Sequence, residues 1–284
     1  MFTTLVSTAQ LAEHLDTWAV VDCRFDLKDL EAGRTAYLTA HIPGAVYASL
    51  ADDLSAAPSG LNGRHPLPSV DAMTETFSLL GMASGAQVVA YDESDGMYAS
   101  RLWWLLHYLG HEAVAVLDGG FGKWMREGRS VRSGIESRPR TSFVPRVRTT
   151  SLVTIDEMVS GRAQTSLLID ARAPERYEGR VEPLDSAAGH IPGAVNRFFK
   201  DNVTADGTMR QPDELRREFS AVLRGREAKD AVMYCGSGVT ACQNLLALEH
   251  AGMGGMPLFV GSWSEWSADP TRPIETGPAR DDRQ

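Results

Sequence analysis

Apolar residues in this chain gather in short unbroken runs separated by longer amphipathic stretches. Trp18 to Asp22, Gln87 to Tyr91, Ala113 to Leu117, Leu167 to Asp170, Val232 to Tyr234 and Met256 to Val260 have the length and the β-branched or aromatic character of buried strands. Between them lie helix signals. Ser7-Thr8-Ala9-Gln10 and Thr154-Ile155-Asp156-Glu157 have the form of capping boxes, and Pro212 stands where a first helical residue would, ahead of Asp213 to Leu223. Asp71 to Leu80 is closed by Gly81, Tyr98 to Leu109 by Gly110, and Ala241 to Leu248 continues an apolar helical pattern. Strand and helix in alternation predict an α/β fold, a central parallel sheet with helices on both faces, with ligands at the carboxyl ends of the strands.

The pattern occurs twice. Ala40-His41-Ile42-Pro43-Gly44-Ala45-Val46 returns as Gly189-His190-Ile191-Pro192-Gly193-Ala194-Val195. Val20-Val21-Asp22-Cys23-Arg24 answers Leu168-Ile169-Asp170-Ala171-Arg172, and Val88-Val89-Ala90-Tyr91-Asp92 answers Ala231-Val232-Met233-Tyr234-Cys235. Phe121-Gly122-Lys123-Trp124 answers Trp263-Ser264-Glu265-Trp266. The chain reads as a tandem duplication: a first domain over 1–130, a linker over 131–150 and a second domain over 151–284. The stretch from Arg129 to Thr150 holds Pro139, Pro145 and six arginines against a single acid, Glu136, as expected of an extended connector. The tail from Asp269 to Gln284 is polar and proline-rich and is expected to be loosely ordered.

Composition narrows the class. Of 284 residues, 43% are hydrophobic and 23% charged, the balance of a globular protein large enough for two cores. A net charge of −9 argues against nucleic acid as a main partner. No basic leader opens the chain and no long apolar run crosses it, so no membrane association is expected and the cytoplasm is the expected compartment. Three cysteines, Cys23, Cys235 and Cys242, build no disulfide framework, which fits a reducing environment.

Cys235 is the centre of the chemistry. It follows a strand, precedes a helix, and sits in Cys235-Gly236-Ser237-Gly238-Val239-Thr240, where two glycines let the backbone curl and several N–H groups converge. With the positive end of the following helix, such a turn suits an anion, and a thiolate is one. An inert buried cysteine is the alternative; the strand before and the helix after favour the nucleophile. The first copy has Asp92 at this place, in Tyr91-Asp92-Glu93-Ser94-Asp95-Gly96. It has no thiol and gains three carboxylates, which would repel an anion. One catalytic copy and one scaffold copy follow, with any cleft between them.

The loop Cys235 to Thr240 resembles the active-site loop of the rhodanese family of sulfurtransferases, and the resemblance extends over nearly the whole chain. Tyr37 with His41-Ile42-Pro43-Gly44-Ala45 resembles the family's N-terminal signature, and Phe259-Val260-Gly261-Ser262-Trp263-Ser264-Glu265-Trp266 its C-terminal one. An inactive first domain with Asp in place of Cys is the family's two-domain pattern. The resemblance implies two tandem rhodanese-like domains, each a parallel sheet with helices on both faces. Within the family the loop is similar to the Cys-Gly-Ser-Gly-Val-Thr form of the 3-mercaptopyruvate sulfurtransferases rather than the Cys-Arg-Lys-Gly-Val-Thr form of the thiosulfate enzymes. Charge points the same way, because Gly236 and Ser237 offer no cation to the dianion thiosulfate. The resemblance implies transfer of sulfane sulfur through a Cys235 persulfide to a thiol such as thioredoxin or a small thiol, or to cyanide, with no cofactor and no metal. It assigns persulfide binding to Gly236, Gly238, Val239 and Thr240, donor carboxylate binding to Arg176, and a Ser-His-Asp relay to Ser237, His65 and Asp52. Those enzymes often carry a second arginine nine positions after the first. Here that place is Asp185, and Arg180 or Arg64 is the expected substitute.

Other candidates read as structural. His41 and His190 recur in both copies, the inactive one included, as do the Asp22–Arg24 and Asp170–Arg172 pairs. His107 and His111 are separated by the helix-ending Gly110, which argues against a shared metal. Cys242 and Cys23 read as packing residues. The rival functions are a thiosulfate sulfurtransferase, a non-catalytic sulfur carrier and a cysteine phosphatase; the last needs Cys-x5-Arg, and Ala241 occupies the arginine's place.

Overall fold

The computed structural model describes residues 1–278; the end of the expected loose tail, 279–284, lies outside the described residues. The chain forms two compact units. The first comprises Met1–Ala56, Leu67–Arg148 and Val203–Met209, and the second Ala57–Pro66, Thr149–Asn202 and Arg210–Gln284.

In the first unit five parallel strands, β1 (Leu5–Val6), β2 (Ala19–Asp22), β3 (Val46–Tyr47), β4 (Val88–Tyr91) and β5 (Val114–Leu117), lie in the order β1-β5-β4-β2-β3. Helices α1 (Thr8–Ala12), α2 (Ala32–Thr39), α3 (Val70–Leu79), α4 (Met97–Tyr108) and α5 (Gly120–Arg126) flank them. The predicted capping box is present: Ser7 Oγ accepts from the Gln10 N–H while the Gln10 side chain accepts from the Ser7 N–H. All four residues of β4 are buried, as an apolar run without alternation requires of a central parallel strand. The core gathers Val20, Val89, Ala115, Phe121 and Trp124 around Ile42.

The second unit repeats the topology. Strands β6 (Leu152–Val153), β7 (Leu167–Asp170), β8 (Val195–Asn196), β9 (Ala231–Tyr234) and β10 (Leu258–Phe259) form a sheet in the order β6-β10-β9-β7-β8, again all parallel. Its helices are α6 (Ile155–Glu157), α7 (Ala163–Thr165), α8 (Pro174–Tyr177), α9 (Pro212–Leu223), α10 (Thr240–His250) and α11 (Ser262–Trp266). Between α6 and α7 a π-helical turn, Met158–Arg162, carries Gly161 at φ 132°. The sequence pattern does not announce this kink.

The recurrent residues build the same scaffold in each unit. Arg24 donates through Nε and Nη2 to Asp22 and through Nη2 to the Ala40 carbonyl; Arg172 does the same to Asp170 and the Gly189 carbonyl. All four side chains are buried. The Tyr91 hydroxyl donates to Asp22 and accepts the Ile42 N–H, and the Tyr234 hydroxyl accepts the Ile191 N–H. His41 and His190 stack on Tyr37 and Tyr177 and bond the carbonyls of those tyrosines through Nδ1, at 2.8 and 2.7 Å. A repeated histidine buried this way is a scaffold part.

Two segments are tied down by backbone hydrogen bonds, and the second of them, the tail, is more ordered than expected. The stretch 131–148 is held to the first unit: Arg132 bridges His41, Thr141 N–H donates to the Ser78 carbonyl, and Arg146 and Arg148 N–H groups donate to Leu109 and Tyr108. The tail as far as residue 278 is ordered by an antiparallel bridge between His190 and Glu275 and by Trp266 Nε1, which donates to the Pro273 carbonyl. Backbone pairing overrides polar composition in both places. His107 packs on Trp103 and His111 on Phe143, on either side of the helix end at Gly110.

Candidate active site

β9 lies between β10 and β7, the middle of its sheet, and Cys235 follows at its carboxyl end. α10 begins at Thr240, so residues 235–239 form the strand-to-helix turn that the apolar run predicts. The turn is buried: Cys235 is 1% exposed and Ser237 6%. Gly238 has φ +72°, and a Cβ there would stand 2.3 Å from the Val260 carbonyl oxygen, so both conformation and space require glycine.

The second signature holds this turn from below. Trp263 and Ser264 N–H groups donate to the carbonyls of Cys235 and Gly236. Cys235 N–H donates to Ser262 Oγ at 3.1 Å, and that hydroxyl donates to the Phe259 carbonyl at 2.9 Å. Ser262 adopts φ +55°, a left-handed conformation that disfavours a side chain. Nothing in the linear signature marks Ser262 for this role. Its partner in the first copy is Gly120 at φ +56°, a signal that the duplication does contain.

The equivalent turn of the first copy holds its own carboxylate. Asp92, 1% exposed, accepts the N–H groups of Ser94, Gly96, Tyr98 and Ala99 at 2.7 to 3.0 Å. Asp95 at φ +58° takes the place of Gly238 at φ +72°, and both turns lead into a helix at the equivalent residue, Met97 and Thr240, although the residue before it differs, Gly96 at φ +79° against Val239 at −101°. Burial pushes the Asp92 carboxyl up, and the four N–H bonds oppose that rise. The expectation that this loop repels an anion is therefore incomplete. Its N–H groups are already occupied by its own carboxylate. Ser237, Val239 and Ala241 hold the places of Ser94, Gly96 and Tyr98 in the second copy.

Against the turn stand residues from two other stretches of the second unit, Ala57–Pro66 and Thr149–Asn202. His65 Nδ1 and Ser237 Oγ lie 2.8 Å apart, both buried. Arg64 N–H donates to Ser264 Oγ. The guanidinium groups of Arg64 and Arg176 converge over Gly236: a Cβ on that glycine would lie 2.9 Å from Arg64 Nη2 and 3.3 Å from Arg176 Nη1. Gly236 is thus small to admit two cations, whereas Gly238 is needed for its φ.

Carboxylates hold the arginines. Asp185 accepts from Arg64 and, at 3.0 Å, from Arg176 Nη2. Glu182 accepts from Arg176 at 2.7 Å and from Arg172 at 3.3 Å. Asp185 and Glu182 are 3% exposed, while Arg64 and Arg176 keep partial exposure. Burial pushes the Asp185 carboxyl up against the pull of Arg64, and burial lowers Arg64, opposed by Asp185 and reinforced by the like charge of Arg176.

Of the expected residues, the structure brings together Cys235, Gly236, Ser237, Gly238, Val239 and Thr240 with His65, Arg64 and Arg176. Arg180 is not among them: its side chain is 59% exposed and paired with Glu178. A solvent-facing partner draws it outward, whereas Arg64 lies beside Arg176 at Gly236. Asp52 belongs to the first unit, where its N–H donates to Ser49 Oγ. Cys242 is buried in α10 with Sγ 3.2 Å from the Gly238 carbonyl, and Cys23 is buried beside β2. Among the described residues there is no cluster of metal-ligating side chains and no helix long and apolar enough to cross a membrane.

Rhodanese-like domain models match residues 7–127 and 154–269, one in each copy of the repeat. The chain belongs to the rhodanese-like family. It is 44% identical over 278 residues to a probable 3-mercaptopyruvate sulfurtransferase of Pseudomonas aeruginosa, covering 96% of this chain and 98% of the relative. It is 33% identical over 280 residues to the bovine thiosulfate sulfurtransferase, covering 94% of this chain and 92% of that one. The structure superposes with a TM-score of 0.84 on the 3-mercaptopyruvate sulfurtransferase from Leishmania major, at 31% identity, over 93% of this chain and 74% of the other. The rhodanese-like chain is an enzyme, a sulfurtransferase, with a sulfur donor and a sulfur acceptor as substrates.

Proposed function

We propose that this enzyme moves sulfane sulfur from 3-mercaptopyruvate, through a persulfide on Cys235, to a thiol acceptor such as thioredoxin or a small thiol, or to cyanide. The observation that carries the donor is the pair of guanidinium groups over Gly236, next to the nucleophile. Two planar cations beside a neutral loop suit a carboxylate held at its edge. A sulfonate-like dianion bound on the loop itself would need cations at positions 236 and 237, which are glycine and serine.

Cys235 thiolate attacks the thiol sulfur of the donor, forming an S–S bond as the C–S bond breaks. The electron pair passes to the carbon and its adjacent keto group, giving the enolate of pyruvate, which takes up a proton. That proton is the one carried by the donor's thiol, and the Ser237 hydroxyl, bonded to His65 and two residues from the nucleophile, relays it from the sulfur to the carbon. The outer sulfur of the persulfide is then an anion two bonds beyond Cβ, the reach of the Asp92 carboxylate in the sister loop. The N–H groups of the turn stabilise it as their counterparts hold Asp92. An acceptor thiolate or cyanide removes the outer sulfur and regenerates Cys235, a ping-pong cycle.

Steady-state rates with 3-mercaptopyruvate and with thiosulfate test the donor; a higher kcat/KM for thiosulfate refutes it. Mass spectrometry after donor treatment tests the nucleophile. The native protein should gain one sulfur atom and Cys235→Ser none, and retention of the adduct in the variant would move the nucleophile elsewhere.

A further inference from the structure

Two arginines lie against Gly236, and with the two carboxylates that pair with them their charges sum to zero. Arg64 and Arg176 face the loop, Glu182 is shared between Arg176 and Arg172, and Asp185 bridges Arg64 and Arg176. The two acids differ in how they are held. Glu182 also accepts the N–H groups of Leu184 and Asp185, at 3.0 and 3.2 Å, and is fixed to its own loop. Among these bonds the Asp185 carboxylate has only the two guanidinium groups as donors. It therefore sits where an incoming carboxylate would bind, with the chemistry of one.

We infer that Asp185 is a resident carboxylate of the donor clamp: in the empty site it bridges Arg64 and Arg176 beside Gly236, and an anionic donor binds by taking its place. This rests on the proposed reading of those arginines as the donor's carboxylate site. The exchange sets specificity. A monocarboxylate replaces Asp185 charge for charge, whereas a dianion such as thiosulfate must enter a clamp whose net charge Asp185 has cancelled. Asp185 is thus a specificity residue that holds down affinity for all anionic donors and penalises dianions more.

The test uses Asp185→Asn, which keeps shape and removes charge, beside Asp185→Glu, which keeps the charge. Two readouts are taken: KM and kcat for 3-mercaptopyruvate and thiosulfate, and protection of Cys235 from iodoacetamide by pyruvate, which needs no turnover. With Asp185→Asn, KM for 3-mercaptopyruvate should fall by about threefold and that for thiosulfate by about tenfold, because the dianion gains twice the Coulomb term. The pyruvate concentration giving half-protection should fall by about threefold, as expected for a monoanion. Asp185→Glu, which keeps the charge, should show no greater fall in KM for thiosulfate than for 3-mercaptopyruvate. If Asp185 only positions the arginines, Asp185→Asn raises KM and weakens pyruvate protection, and either result overturns the inference, as does no change. If instead the native enzyme fails to use 3-mercaptopyruvate while pyruvate protection tightens in Asp185→Asn, the donor assignment falls and the resident carboxylate stands.

Discussion

Ser262 offers a test in which the usual ranking of substitutions reverses. It opens α11 at φ +55° and its buried hydroxyl accepts the Cys235 N–H, the amide of the proposed nucleophile. Ser262→Ala removes that acceptor and keeps a Cβ in the left-handed conformation. A buried amide left without a partner costs about 1–3 kcal/mol, so the variant should lose about 2 kcal/mol. Ser262→Gly loses the same bond but recovers about 1 kcal/mol as the Cβ leaves the left-handed region, for a net loss of about 1 kcal/mol. Glycine should therefore be the more stable of the two, although alanine is favoured by about 1 kcal/mol in an ordinary helix. Gly120 at the equivalent place of the first copy, with φ +56°, marks the same preference. Urea midpoints measure the difference, and Ser262→Ala should melt about 4–8 °C below the native protein. Both variants should also slow persulfide formation, since the backbone of Cys235 loses an anchor. An alanine variant as stable as the glycine variant, or one within about 0.3 kcal/mol of native, refutes the reasoning.

Two further outcomes follow from the geometry. Gly236→Ala places a methyl 2.9 Å from Arg64 Nη2 and 3.3 Å from Arg176 Nη1; the guanidinium groups must shift, and KM for a carboxylate donor should rise about tenfold, with an unchanged KM counting against the clamp. In the first unit, burial holds His107 at about 4, below its ordinary 6.5, so the folded state keeps it neutral while the unfolded chain takes up a proton. The stability this gives is present above pH 6.5 and is lost as pH falls towards 4. The loss by pH 5 is about 2 kcal/mol for a dry ring and about 1 kcal/mol for this partly exposed one. His107→Gln should flatten the change in urea midpoint between pH 7 and pH 5, and an unaltered slope would assign the acid sensitivity to other groups.

Much of the scaffold was legible in the sequence because central parallel strands leave an unbroken apolar run. Val88–Tyr91, Leu167–Asp170 and Ala231–Tyr234 are such runs, buried along their whole length. The two-residue strands Leu5–Val6, Val46–Tyr47 and Val195–Asn196 are too short to show a period, and only pairing with a neighbour defines them. The loop around Cys235 was legible from its glycines, and Arg176 from a family motif. Other features depend on atoms that a linear reading does not bring together. That Gly236 makes room for two guanidinium groups, that Asp185 is buried between them, and that Asp92 turns inward onto its own N–H groups are facts of side-chain direction. The motif marked Asp185 only as a charge reversal, and the loop composition made Asp92 look repulsive rather than bound.

The assignment of Ala57–Pro66 to the second unit has a consequence for how the duplicated halves can be treated. Those ten residues precede most of the first unit in the chain, yet they bring Arg64 and His65 to the turn of Cys235. Val203–Met209 makes the opposite loan, with Met209 N–H donating to Asp118 in the first unit. A fragment cut at the evident repeat boundary would keep the thiol and discard the side chains packed against its turn. Duplication has here produced two copies that are no longer modules: each is completed by a strip of chain encoded in the other, so neither half can be shuffled, swapped or trimmed as a unit without dismantling the chemistry.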